Sequence, residues 1–291
     1  MPDRRSLLAG LACAAAVPAL AATAANEAAV VAGRKIRLIE RERMLVEGIV
    51  AHACLALVGM DRAARFARIG DDVARIDAAF AGLVHGDPKM GLMRETSGQV
   101  RDALRQASTM WLRFRDRADA VVESGGADRA AVEALAGADE PLLEALGETV
   151  TTIERVYADG EVPLHLLIAT KLAARQELLA ERLAKHACMI AAGIDVERSR
   201  ALVAEEIAVF DNRLAALANG FPMLGIRAPA NPVLVAQWQA VAESWGALRP
   251  GIEAIATGAA PTPQATAALV DRMDPFVALL DEAVVLYERE R

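Results

Sequence analysis

"AHACLALVGMD", residues 51–61, and "KHACMIAAGID", residues 185–195, carry the same His-Ala-Cys and Gly-x-Asp pattern. The copies are spaced 186 − 52 = 134 residues apart, and so are Cys54 and Cys188. Sliding the chain against itself by that offset, without a gap, also aligns Arg41 with Arg175, Leu45 with Leu179, Glu47 with Glu181, Asp77 with Asp211, Gly86 with Gly220, Trp111 with Trp245 and Arg115 with Arg249. The Glu-Arg pair at Glu154 and Arg155 recurs at Glu288 and Arg289. A fixed period of this kind is the mark of a repeat architecture. It predicts two tandem units, over residues 31–158 and 162–291.

Around the repeated stretch the apolar positions recur at three and four: Leu38, Leu45, Ile49, His52 and Ala56 in one unit, Leu172, Leu179, Leu183, His186 and Ile190 in the other. Alanine, leucine, valine, arginine and glutamate dominate and aromatics make up only 4% of the chain, which favours helix. No strand pattern is present. Breaks fall at Gly59 to Asp61, Gly86 to Pro88 and Ser124 to Asp128, and again at Gly193 to Asp195, Gly220 to Pro222 and Gly258 to Pro263. Each unit therefore holds about four helices, the last restarting at Pro141 or Pro275. The expected fold is all-α, two antiparallel four-helix bundles.

Residues 1–24 read as an export signal: an Arg-Arg pair, an alanine-rich apolar run and small-x-small sites at Ala19-Leu20-Ala21 and Ala22-Thr23-Ala24. Asp-Arg-Arg-Ser-Leu-Leu is of the twin-arginine type, and the general secretory route is the alternative. Cys13 falls inside this segment. The rest has no apolar run of membrane-spanning length, so a periplasmic, uninserted product is expected. A net charge of −7 with acids and bases interleaved gives no nucleic-acid signature.

"LIERERMLVEGIVAHA" and "KLAARQELLAERLAKHA" resemble the signature helix of the N-terminal domain of type IV pili methyl-accepting chemotaxis transducers, which is similar to the periplasmic input module of nitrate/nitrite sensor kinases. "EEIAVFDNRLAALANG" resembles the second helix of that family. The resemblance implies a ligand-sensing bundle in which paired arginines clamp a small anion across a two-fold axis. The matching positions are Arg43 and Glu177, Gly48 and Arg182, Ala51 and Lys185, so each unit keeps a charge that the other has lost. An Arg43–Glu177 contact is expected, neutralising itself without a ligand. Arg41 and Arg175, present in both units, are the shared anion candidates beside Arg43, Arg182 and Lys185; a solvated or salt-bridged role is the alternative. The implied partner is a membrane-bound sensor or transporter, because the expected product has neither anchor nor output domain.

Residues two apart on a helix point about 200° apart, so His52 and Cys54 cannot ligate one metal from the same helix. The family's interface geometry implies that Cys54 and Cys188 face each other, and a disulfide is then expected in an oxidising compartment. Two small buried thiols are the alternative. His52 and His186 read as hydrogen-bonded core histidines, with a haem or metal pair as the other reading. No Gly-x-Ser-x-Gly, His-Glu-x-x-His or phosphate-binding glycine loop occurs, so the chain reads as non-enzymatic and without a required cofactor.

Overall fold

The computed structural model describes residues 16–157, 164–259 and 261–289. The first fifteen residues of the expected signal, and the junction 158–163 between the expected units, lie outside them. The helices are α1 (Ala16–Leu57), α2 (Arg62–His85), α3 (Gly98–Glu123), α4 (Arg129–Ala136), α5 (Asp139–Val156), α6 (Leu164–Ala192), α7 (Val196–Asn219), α8 (Pro232–Ala256) and α9 (Pro263–Arg289). Among the described residues the only extended pairings are single bridges, Asp87 with Leu92 and Phe221 with Ile226. The protein is all-α, and no described helix is long and apolar enough to cross a membrane.

The buried positions of α3 are Val100, Leu104, Ala107, Trp111, Phe114, Ala118 and Val121, alternating at four and three. Leu234, Trp238, Val241, Trp245, Leu248, Ile252 and Ile255 repeat that stripe in α8. A stripe of this kind seats one helix face in a bundle and leaves the other to water. Helices α1, α2, α3 and α5 close one ring of contacts; α6, α7, α8 and α9 close another. The rings share one apolar core because α1 packs on α6. Surrounded by neighbours, α1 buries Ile39, Val46, Ile49, Val50, Ala51, Ala53, Cys54 and Leu55 almost all the way round.

Local devices recur at the same spacing. Trp111 Nε1 donates to Asp77 at 2.7 Å and Trp245 Nε1 to Asp211 at 2.7 Å, with Arg115 and Arg249 on the same carboxylates. Asp61 and Asp195 enter α2 and α7 at φ 45° and 43°. Gly86 and Gly220 sit at φ 83° and 81°, where an added Cβ would lie 2.7 Å from Arg94 N and 2.6 Å from Ala228 N, so only glycine fits.

The units differ at the last helix. The restart expected at both prolines occurs in the first unit, where Gly137 ends α4 and α5 begins at Asp139. In the second unit α9 runs unbroken through Pro275, with Asp271 where the first unit has Gly137.

The direction of α1 against α6 follows from cross-contacts. Glu47 meets Arg182 and Lys185, and Gly48 meets Glu181, so the numbering difference stays between 181 − 48 = 133 and 185 − 47 = 138. The difference holds further along both helices, with Glu177 in the field of Arg37 and Arg41 and Cys188 in that of Cys54, so α1 and α6 run parallel.

Candidate functional site

A cleft of about 740 Å³ is walled by α1, α5, α6 and α9 with Arg213 reaching in from α7. Equivalent residues face each other across it: Ile36 and Thr170, Arg37 and Lys171, Val150 and Val284, Glu154 and Glu288. Arg37 Nη1 pairs with Glu288 at 2.5 Å and Lys171 Nζ with Glu154 at 2.6 Å. These two bridges are counterparts, each joining one unit to the other.

With those cations neutralised, the remaining positive charge on the wall stands out. Arg43 pairs with Glu40 at 2.8 Å, and Arg182 lies 3.1 Å from Glu206 and 3.3 Å from Glu47. Arg155, Arg175 and Arg213 have no carboxylate partner among the described residues. Burial and the charge of Arg175 both pull the Arg213 pKa down, so the two guanidiniums share one field.

Three of the five arginine and lysine candidates, Arg43, Arg175 and Arg182, thus line one cleft. Arg41 is exposed and outside it. Lys185 is buried elsewhere, 2.6 Å from both Glu47 and Asp139. Burial opposes the charge on Lys185, but Glu47 and Asp139 outweigh it and raise its pKa. The expected Arg43–Glu177 contact is not formed. Arg43 turns instead toward α5, where Gly147 leaves room: a Cβ there would lie 3.9 Å from Arg43 Nη2. Glu177 stays buried, its pKa pushed up to about 8 by burial and by Asp281.

Arg155 and Arg213 went unrecognised in the sequence. Arg155 belongs to the repeated Glu-Arg pair, a signal that the sequence carries, whereas the counterpart of Arg213 is Ala79 and gives none.

The expected Cys54–Cys188 bond is absent: both are free, buried thiols. The charge of Cys54 raises the Cys188 pKa further, and Cys54, with burial as the largest cause, is itself pushed up to about 12. A thiol held protonated is a poor entrant to disulfide exchange, which needs the thiolate. His52 Nδ1 lies 3.5 Å from Arg65 Nη1, and burial with that cation brings its pKa down to about 4. His186 Nδ1 lies 3.4 Å from Ser199 Oγ, with its pKa likewise lowered by burial. Both rings are neutral, packed histidines. Among the described residues no group of three or more His, Cys, Asp or Glu side chains is placed to hold a metal ion.

A family model described as "Type IV pili methyl-accepting chemotaxis transducer N-term" matches residues 171–271, from the signature part of α6 through α7 and α8 into α9. That stretch is similar to a chemotaxis-transducer input domain. No curated protein and no solved structure matches the chain.

Proposed function

We propose that the chain is a periplasmic sensory bundle, internally duplicated, that binds a small anion in the cleft between its two units and passes the signal to a membrane-bound sensor or transporter. The observation that carries this reading is Arg175 beside Arg213, unpaired, in a cleft with Arg43 and Arg182 on the same wall. Guanidiniums offer planar forks of charged donors, and two in one field are stabilised by a carboxylate, nitrate or phosphate between them. The match to the transducer domain over residues 171–271 supports a sensing role over a catalytic one. Duplication puts into one chain the two-fold arrangement that the family resemblance implies for a dimer, and the bridges Arg37–Glu288 and Lys171–Glu154 hold it.

The cleft volume lies within the range of small-molecule sites. Ile36, Val150, Leu178 and Val284 give it an apolar wall beside the cations. Both features favour an anion with an organic body over bare nitrate.

The test is differential scanning fluorimetry of the purified protein against nitrate, nitrite, succinate and citrate. A saturable rise in melting temperature with at least one of them is expected, absent in Arg213→Ala. Flat curves for every anion, or a rise that survives Arg213→Ala, would overturn the cleft as the site.

A further inference from the structure

Two apolar loops project from one end of the molecule. The 3-10 turns Pro88–Met90 and Pro222–Leu224 link α2 to α3 and α7 to α8. Each packs on a central helix: Arg34 Nη1 of α1 donates to Gly91 O at 3.2 Å, and a Cβ on Gly225 would meet Ile168 of α6 at 3.6 Å. Ile168 is the counterpart of Arg34, 168 − 34 = 134, and because α1 and α6 are parallel the two loops share one end. Met223 is 90% exposed there, with Leu224, Phe221, Met90 and Met93 also outside the core. Single exposed apolar side chains are ordinary, but a cluster on two loop tips is not. Lys89, Arg94 and Arg227 stand among them, exposed and without carboxylate partners among the described residues.

The geometry points to this end docking on an anionic lipid bilayer surface. Apolar tips interleaved with unpaired cations match the two layers of such a surface, acyl boundary below and phosphate headgroups above.

Vesicle co-sedimentation of the full chain tests this, with phosphatidylglycerol-containing vesicles against pure phosphatidylcholine. The uncharged stretch 7–25 is common to every variant and is a constant background, so differences between variants read the loops alone. The wild-type chain is expected to prefer the anionic vesicles and to be released by salt. Lys89→Glu with Arg227→Glu should weaken that binding roughly 25-fold, about five-fold for each cation. Met223→Asp with Leu224→Asp should weaken it roughly ten-fold or more. All four sites are exposed, so melting temperatures should not move. Equal binding to both vesicle types, undiminished binding of both variants, or no binding by the wild-type chain, which would leave the face to a protein partner, would each overturn the proposal.

Discussion

Glu47 on α1 and Glu181 on α6 are the same residue of the repeat, yet they live in opposite surroundings. Glu47, fully buried, has Lys185 at 2.6 Å and Arg182 at 3.3 Å. The counterparts of those cations are Ala51 and Gly48, so Glu181 meets the bare backbone of Gly48 where a cation would stand. Burial and Asp274 push its pKa up to about 8. Two copies of one ion cluster would place two sets of buried charge side by side, each needing full compensation. One complete cluster and one stripped of cations give a single ionic lock joining α1, α5 and α6, with apolar packing opposite. The divergence between the units is thus complementary, and it explains why each kept a charge that the other lost.

The largest effect should come from the complete side. Lys185→Met leaves Glu47 and Asp139 buried without their cation, and a loss of roughly 3–5 kcal/mol in urea unfolding is expected. A loss under about 1 kcal/mol would mean that the lock contributes little.

A smaller effect, of opposite sign, should come from the stripped side. A Cβ on Gly48 meets Glu181 Oε2 at 3.8 Å, an ordinary contact, so a side chain can begin there, and Gly48→Arg is expected to supply the missing cation. Losing a mid-helix glycine adds roughly 0.5–1 kcal/mol by itself. The two contributions separate by pH. Glu177 and Glu181, with pKa values raised to about 8, hold protons in the folded state that an unfolded carboxylate releases near its usual value. Their stabilising contribution is complete below that usual value and is lost as pH rises through about 8. His52, lowered to about 4, works the other way and costs stability below its usual range. Thermal unfolding of the wild-type protein should therefore weaken between neutral and mildly alkaline pH, and Gly48→Arg should flatten that decline. A variant whose curve runs parallel to the wild type's would show only the glycine effect.

Most of the fold was legible because the 134-residue offset aligns helix breaks, tryptophans and carboxylates together, and helical periodicity did the rest. The anion site was legible in part. Arg175 and Arg182 sit on a central helix, where the repeat fixes their direction; Arg43 was misassigned because a long side chain reaches either of two neighbours. The room left by Gly147 on α5 decided which, and a pattern read along α1 alone does not contain it. Arg213 is the sharper case: it comes from a helix outside the signature, its counterpart is Ala79, and only packing brings it against Arg175. The cysteines show the reverse. Their facing was implied by the family resemblance, while the protonation that keeps them apart chemically is a property of burial.

The central claim is that an anion sits between Arg175 and Arg213. Isothermal titration calorimetry with citrate on the wild-type, Arg175→Ala and Arg213→Ala proteins tests it most directly. Loss of a charge-assisted contact of roughly 1.5–3 kcal/mol should weaken binding by about ten-fold to a hundred-fold in each variant. Because both guanidiniums hold the same ligand, the double variant should fall short of the sum of the two losses. Citrate binding of equal affinity in all three proteins, or no heat with the wild type, would contradict the account.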